Sequence, residues 1–282
     1  MRGRLELYDD WNEFATAIGG FLEERETEYG LFLGVLASLK LDPPASKPFM
    51  ARVLIEGKTD FAAVYRELNV IVSRGSDEAV DAAASRLCAL RMDVPGVVGP
   101  PREAERFASA WARERGFAPF LAVDQRIYQL TEVRRPATLP GSMRPIMPAD
   151  LDLVAEWAFG FEMEALPHEA HTREHTRRRI EKRISKGDLF AWDVGGHLVS
   201  MAGLARPTRR TICLNAVYTP PPQRRRGYAT ALVAALSEEG LKRGKEACVL
   251  YTDLGNPTSN SIYMKIGYRP VCDSRNYRFR LL

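Results

Sequence analysis

The stretch 217–230, VYTPPPQRRRGYAT, predicts a buried strand that ends in a proline turn, followed by a loop that opens a helix. An apolar, partly β-branched run at 212–219 precedes the prolines, and apolar residues return at helical spacing over 229–240. A helix start carries unpaired N–H groups and about half a positive charge, so this junction suits a phosphate. Gly227 allows a positive φ or a close approach of the main chain to a ligand.

Pro220, Pro221 and Pro222 follow the strand directly. Proline has no N–H to give to a sheet, so we expect the neighbouring strand to part from this one after Thr219. The parting predicts a V-shaped gap in which an extended arm of a ligand could lie.

A second segment, NPTSNSIYMKIGY at 256–268, predicts a short helix with clear ends. Asn256 is a favourable N-cap, proline follows at the first helical position, and Gly267 ends the run. Asn256, Asn260 and Tyr263 fall on one face, which we expect to point towards a ligand. A half-buried tyrosine with its hydroxyl in water is the alternative interpretation of Tyr263.

Together the two segments resemble the GNAT superfamily of acyl-CoA-dependent N-acyltransferases. Arg224, Gly227 and Ala229 are similar to its pyrophosphate-binding signature, Arg-x-x-Gly-x-Gly/Ala. The second segment fills every slot of the family pattern Asn-x-x-Ala/Ser-x-x-Leu/Ile-Tyr-x-Lys-x-Gly-Phe/Tyr. The matching residues are Asn256, Ser259, Ile262, Tyr263, Lys265, Gly267 and Tyr268. Near the carboxyl end of the chain the resemblance rests on matching motif residues. In the rest of the chain it rests only on the order of the predicted elements.

The order of predicted elements implies an α+β fold of two tandem GNAT-like domains. In each, a mixed, mostly antiparallel twisted sheet is flanked by helices, so that three layers form. We expect a first domain over 1–131, a linker over 132–143 that is rich in proline and charge, and a catalytic domain over 144–282. At the position of the phosphate loop the first half reads SRGSDEAV, without the signature. We therefore expect a degenerate first domain with no cofactor site, an arrangement that resembles bacterial two-half proteins akin to glycine N-acyltransferases.

The resemblance also implies roles for individual residues. The Val217 N–H would polarise the thioester oxygen, the phosphate loop would wrap the pyrophosphate, and Tyr263 would protonate the leaving thiolate. The implied cofactor-binding residues are Val217, Tyr218, Thr219, Arg224, Arg225, Arg226, Gly227, Tyr228, Ala229, Thr230, Asn256, Asn260 and Tyr263. The implied co-substrate is acetyl-CoA or another short acyl-CoA, and no metal is required.

Amide formation from a thioester needs an uncharged amine, and an alkyl amine with a pKa of about 10 is mostly protonated at neutral pH. A carboxylate or a water chain must therefore take a proton. Glu162 and Glu164 are the candidate bases, although two solvated glutamates at a helix end explain them equally well. Asp193 and Asn215 are weaker candidates for orienting a substrate. The function expected is acetyl transfer to a primary amine of a small molecule or peptide, by direct attack in a ternary complex.

Composition fits a cytoplasmic enzyme. The chain has 282 residues and a net charge of +4, which suits an anionic cofactor as well as it suits nucleic acid. The amino terminus lacks the apolar stretch of a signal peptide, and the hydrophobic run at 31–39 is too short to cross a bilayer. The four cysteines are scattered, so we expect reduced thiols. Either a monomer or a homodimer fits the sequence.

Two further patterns lie between 168 and 186. Seven basic residues over 173–186 spread around a helix, which favours a solvated helix over a nucleic-acid face. His168, His171 and His175 have a spacing that could hold a metal, but no carboxylate is placed as in metalloproteases, so we expect no metal site. A non-catalytic acyl-CoA sensor and, less favoured, a nucleic-acid-binding regulator remain the alternative functions.

Overall fold

Each half of the chain runs through one order of elements: strand, two helices, three strands, helix, strand, helix, strand. The computed structural model describes residues 3–41, 47–66, 68–165 and 171–281. Two compact units form, one from 1–127, 252–255 and 271–282, the other from 128–251 and 256–270. Both contain a mixed, mostly antiparallel sheet flanked by helices, as the sequence predicts.

The elements of the first half are β1 (Arg4–Leu7), α1 (Trp11–Glu23), α2 (Gly30–Leu41), β2 (Phe49–Ile55), β3 (Lys58–Tyr65), β4 (Val70–Val72), α3 (Asp77–Ala89), β5 (Gly96–Gly99), α4 (Pro101–Arg115) and β6 (Phe117–Leu130). Strands β1 to β4 pair in sequence order as antiparallel neighbours. The pair β4–β5 is parallel, and α3 makes the crossover that a parallel pair requires.

The elements of the second half are β7 (Ser142–Pro145), α5 (Leu151–Ala165), α6 (Arg173–Ser185), β8 (Leu189–Val194), β9 (His197–Ala205), β10 (Thr211–Tyr218), α7 (Tyr228–Lys242), β11 (Ala247–Asp253), α8 (Pro257–Ile266) and β12 (Arg269–Leu281). Strands β7 to β10 form antiparallel pairs, and β10 pairs with β11 in parallel across the α7 crossover. The second half thus repeats the pairing pattern of the first.

The last strand belongs to the first unit, whereas the sequence placed all of 144–282 in one domain. Strand β12 pairs antiparallel with β5, with Tyr277 opposite Val97. Tyr277 lies in the first unit's apolar core, and the Phe279 ring centroid is 4.3 Å from that of Trp111. Burial of these aromatic rings holds the strand there, a partnership that the local pattern of the strand does not encode.

The helices at the amino end differ from the prediction in one boundary. The sequence pattern predicts one helix over 10–18 and a second over 20–40, but α1 continues to Glu23 and the chain turns only at 24–29. Phe14, Ile18 and Leu22 are fully buried at intervals of four, so the apolar face continues past the glycines. The sequence analysis did not predict β1, because its four residues, of which Arg4 and Glu6 are charged, are too few to give a clear strand pattern.

The segment predicted as a linker packs against the second unit. The Arg134 N–H donates to the Ile266 carbonyl over 2.7 Å, and the Trp192 indole donates to the Pro140 carbonyl over 3.0 Å. Arg135 forms an ion pair with Glu238. The backbone is irregular over 131–141, and these contacts attach it to the α7 and α8 side of the unit.

Two apolar cores cover the two faces of the sheet within the second unit. Helices α7 and α8 pack with Leu214, Leu232 and Leu250 on one face. Helices α5 and α6 pack with Ala191 and Met201 on the other. Of the helices in the described residues, none combines the length and the apolar character needed to cross a membrane.

Helix α7 approaches the sheet closely at Gly240. A Cβ atom there would lie 2.7 Å from the Cys248 Sγ and 3.0 Å from the Ile212 Cγ2. We predict that Gly240→Ala lowers the unfolding free energy by about 1–3 kcal/mol, because overpacking outweighs the gain in helix propensity. Gly20→Ala is the matched control, since no atom lies within 4 Å of its Cβ position in α1. It should stabilise by about 0.5–1 kcal/mol, and equal shifts in calorimetric Tm would contradict this.

Candidate functional site

Strands β10 and β11 separate half-way along β10. Their parallel pairing runs from Thr211–Ala247 to Leu214–Leu250, and the described residues show no paired register beyond it. On the other side, Asn215 pairs with Gly203 and Tyr218 with Met201, so β10 contains one extra residue. Such a bulge bends a strand and increases its twist. A gap therefore opens between the two strands.

The bulge centres on Ala216, which has a φ of 52°. A left-handed conformation is unfavourable for alanine and marks local strain. The bulge also reverses the alternation of side chains, since Leu214 and Val217 both lie against the α7–α8 core while Tyr218 lies against α5. The predicted gap exists, but its predicted start after Thr219 was wrong. The bulge separates the strands before the prolines are reached.

Helix α7 begins directly behind this gap without a capping side chain. Its N-cap is Gly227, with a φ of 83°, and no acidic residue lies in its first turn. The first N–H groups of a helix have no intrahelical acceptor. The positive φ disfavours any side chain at position 227, and a Cβ atom there would also lie 2.8 Å from the Leu139 Cδ1, which would have to shift. The main chain of this turn is thus open to an anion.

The three arginines of the loop are not equivalent. The Arg224 guanidinium pairs with both carboxylate oxygens of Glu164, at 2.9 and 2.7 Å, and donates to the Thr219 carbonyl. Arg225 and Arg226 are exposed, and no described carboxylate lies within ion-pair distance of either. Two of the three positive charges are therefore available beside the open turn.

The corresponding helix start in the first unit is already satisfied. The Ser76 side chain accepts from the Ala79 N–H, and the Asp60 carboxylate accepts from the Ser76 N–H and hydroxyl at 2.9 and 2.7 Å. Asp77 and Glu78 place further negative charge in the first turn of α3. A phosphate would meet carboxylates here instead of free N–H groups.

The predicted ends of α8 are confirmed. The Asn256 carboxamide oxygen accepts from the Ser259 N–H over 3.1 Å, Pro257 is the first helical residue, and Gly267 ends the helix with a φ of 115°. The Asn260 side chain donates to the Asn256 carbonyl. The side-chain and main-chain oxygens of Asn256 both accept hydrogen bonds within the helix.

The Tyr263 side chain lies deeper than the sequence suggested. It is only 7% exposed and packs in the α7–α8 core, with the Tyr268 ring centroid 6.0 Å away. Burial raises the pKa of Tyr263 to about 12, with a smaller opposing effect of a hydrogen bond with Ser259. The phenol therefore keeps its proton throughout the neutral range.

Glu162 lies in the contact between α5 and α6. It is 3% exposed, accepts from the Thr176 hydroxyl over 2.8 Å and forms an ion pair with Arg179. Burial lowers the pKa of Arg179. The structure thus places this carboxylate among fixed donors that hold the two helices together.

Glu164 lies at the mouth of the gap instead. It accepts from the Tyr218 hydroxyl over 3.1 Å as well as from Arg224, and it is half exposed. Burial raises the pKa of Tyr218 most, and the neighbouring Glu164 carboxylate raises it further. Gly160 provides the space for this ring, because a Cβ there would lie 2.9 Å from the tyrosine hydroxyl. Glu164, Tyr218 and Arg224 form one polar cluster.

The arginines of helix α6 are largely paired. The pairs are Arg173–Glu156, Arg177–Asp152, Arg178–Glu174 and Arg179–Glu162. This pairing removes much of the positive charge that the sequence shows in this stretch. The His171 and His175 rings stack at 4.4 Å, and no group of three metal-ligating side chains occurs among the described residues. His168 lies outside the described residues.

Sequence reasoning missed Arg183, which turns inwards from α6. Its Nη2 donates to the Asn215 carboxamide oxygen over 2.9 Å, next to the bulge. The helical pattern counted this residue among the solvated arginines. Its only sequence signal is Gly203 on β9, whose missing side chain leaves room for the guanidinium.

Comparison with known proteins agrees with this geometry. Residues 151–268 match the sequence model of the acetyltransferase (GNAT) family. This region is similar to a GNAT acetyltransferase domain, which supports a transferase enzyme. The GNAT family in general uses acetyl-CoA and acts on amines of small molecules or peptides. No curated protein matches the chain by sequence.

Solved structures extend the GNAT likeness to nearly the whole chain. An acetyltransferase of the GNAT family from Colwellia psychrerythraea has a TM-score of 0.60 at 12% identity, covering 99% of this chain and 100% of that one. A GCN5-related N-acetyltransferase from Sphaerobacter thermophilus has a TM-score of 0.62 at 16% identity, with coverages of 98% and 95%. A tandem GNAT protein from the clavulanic acid biosynthesis pathway has a TM-score of 0.58 at 14% identity, covering 98% of each chain. At these identities the likeness establishes the fold.

Replacement of Glu162 and of Glu164 should change the unfolding free energy by different amounts. We predict that Glu162→Gln lowers the unfolding free energy by about 1–3 kcal/mol, because Arg179 and Thr176 lose a buried charged acceptor. Glu164→Gln is the matched control and should cost less than about 1 kcal/mol, since its ion pair is exposed. Urea titration of both variants measures the difference. A Glu162→Gln variant as stable as the wild type would contradict the structural role of this carboxylate.

Proposed function

We propose that the GNAT domain transfers an acetyl group from acetyl-CoA to a primary amine of a small molecule or peptide, by direct attack in a ternary complex. The observation that carries the proposal is the uncapped, glycine-led start of α7 behind the gap between β10 and β11. The buried, protonated Tyr263 on the neighbouring helix supports it. A cytoplasmic location fits the four free cysteines, three of them buried.

The residues present fit the proposed acyl donor. The N–H groups of 225–230 and the side chains of Arg225 and Arg226 would hold the diphosphate, while Arg224 stays with Glu164. The main chain at Val217, Tyr218 and Thr219 would accompany the pantetheine arm along the gap, with Asn256 and Asn260 on its other side. The bound donor supplies an activated thioester, and the Val217 N–H would polarise its oxygen.

Tyr263 is the proposed general acid. Its raised pKa keeps the phenol protonated throughout the neutral pH range, so its proton is available to a departing sulfur. The apolar surroundings exclude water from this step. Asn256, bound to the helix start, fixes the first turn of α8 and thereby the position of the phenol.

Glu164 is the proposed carboxylate that takes the amine proton, directly or through Tyr218 or water. It lies at the mouth of the gap and its oxygens are half exposed, so a substrate can reach it. Glu162 is proposed as a positioning residue, because it is buried as well as bound by Thr176 and Arg179, whereas Glu164, although paired with Arg224, is half exposed. Since Glu164→Gln is expected to keep its fold, turnover measured in that variant reports on the base.

The first domain is proposed to bind no cofactor. The Asp60, Asp77 and Glu78 carboxylates at the start of α3 support this proposal, since they repel the anion that the start of α7 attracts. The relation to two-half glycine N-acyltransferase-like proteins stays a prediction.

The two alternatives receive less support. A non-catalytic sensor would need the donor site but not the buried phenol, so the Tyr263 environment argues for turnover. A nucleic-acid-binding regulator would use the α6 arginines, whose carboxylate partners compete with a phosphate backbone.

Acetyl-CoA titration tests the donor site and the number of sites together. We predict about one site per chain by calorimetry, because the corresponding helix start in the first unit, α3, is capped by Ser76 and carries acidic side chains. Gly227→Ala should weaken binding about tenfold or more, since a left-handed alanine and the Leu139 contact displace the turn. Gly196→Ala is the matched control, with a φ of 86° and no atom within 4 Å of its Cβ position. Two sites, or equal affinities in both variants, would oppose the proposal.

Replacement of the phenol tests the acid. We predict that Tyr263→Phe lowers kcat about a hundredfold while acetyl-CoA affinity changes less than about twofold, as expected for loss of general acid catalysis. Tyr268→Phe is the control, because it removes a buried hydroxyl that bonds only to Ser237 and is proposed to have no catalytic role. Unchanged kcat in Tyr263→Phe, measured as thiol release with an amine acceptor, would remove the assigned acid.

A further inference from the structure

Arg183 is a partly buried cation that has only neutral hydrogen-bond acceptors. Its Nη2 donates to the Asn215 carboxamide oxygen over 2.9 Å and to the Leu204 carbonyl over 3.3 Å. No described carboxylate lies within 4 Å of its guanidinium, in contrast to Arg173, Arg177 and Arg178 on the same helix. Withdrawing a cation from water without an anionic partner is unfavourable.

The position of this cation is built into the sheet. A Cβ atom at Gly203 would lie only 3.0 Å from the Arg183 Cζ, so only glycine leaves space for the guanidinium beneath β9. Burial lowers the pKa of Arg183 to about 10, with a smaller opposing effect of Asp188. The group is still charged at neutral pH.

A second guanidinium lies on the same face. Arg206 donates to the Cys213 Sγ over 2.9 Å, and its Nε is buried with no hydrogen-bond partner among the described residues. The Arg206 charge makes a minor contribution to the lowered pKa of Arg183. Glu162, the buried carboxylate between α5 and α6, already pairs with Arg179.

The Arg183 guanidinium lies beside the bulge that opens the gap. Asn215, which holds Arg183, is the residue at which β10 leaves its regular register, and Val217 follows two positions later. An amine positioned to attack in the gap would therefore bring an anionic group on the same small molecule within reach of Arg183. A guanidinium binds a carboxylate through two parallel hydrogen bonds. Such a pair would give Arg183 an anionic partner in addition to its two neutral acceptors.

We infer that the acceptor is a small amine that carries a carboxylate, bound through Arg183 with Asn215 orienting the guanidinium. The inference rests on the proposed acetyltransferase function and names the substrate class of that site. Arg183 is then a specificity-determining residue.

The experiment compares amines that differ only in the carboxylate. Acetyl-CoA-dependent thiol release is measured with the common α-amino acids, β-alanine and γ-aminobutyrate, each beside its carboxamide. We expect one or more acids to be acetylated with a kcat/KM at least tenfold above that of the amide. In Arg183→Gln this ratio should fall about ten- to a hundredfold, mainly through KM for the acid, while Arg183→Lys should recover part of it.

Arg178→Gln is the matched control, because Arg178 lies on the same helix, is exposed and pairs with Glu174. Its acid-to-amide ratio should equal that of the wild type. Acetyl-CoA affinity, measured by calorimetry on every variant, shows that each one is folded. A simple structural role for Arg183 would lower activity on acids and amides alike.

The outcomes separate the two proposals. Failure of the wild type to bind acetyl-CoA would overturn the transferase proposal and this inference with it. Binding of acetyl-CoA with equal use of acids and amides, with preference for amides, or with no turnover across the whole panel would overturn the carboxylate assignment alone. Retention of the acid preference in Arg183→Gln would also overturn it.

Discussion

The separation of β10 from β11 is the constraint on which the site depends. Four paired positions hold the strands together, and then the extra residue in β10 bends it away at Asn215. The strain at Ala216 persists because the apolar cores on both faces fix the strand on either side of it. From this point the chain leads through the prolines into the open start of α7, so the gap and the proposed anion-binding turn are parts of one irregularity.

The two halves show how one arrangement of elements is used differently. Both contain a parallel strand pair joined by a helix, the geometry that places a helix start beside a strand end. In the first half a serine cap and Asp60 complete that helix start, whereas in the second half Gly227 leaves it open. The same backbone arrangement therefore ends in a capped, acidic helix start in one half and in an uncapped one in the other, through a few side chains.

Much of the fold could be predicted from the sequence, because caps, turns and apolar periods act locally. The ends of α8 follow from Asn256, Pro257 and Gly267, and the predicted gap at the end of β10 exists. The environment of the site residues could not be predicted. Glu162 and Glu164 are two positions apart and equivalent in sequence, yet one is enclosed by Arg179 while the other reaches solvent and Tyr218.

The sequence by itself determined the order of the elements and the start and end of most of them, since these depend on residues within a few positions of one another. Only the tertiary structure decided where β10 bends, which unit receives β12, and that Arg183 turns towards Asn215 instead of water. The physical reason is that each of these depends on partners distant in sequence, whose space and charge are set when the layers pack together.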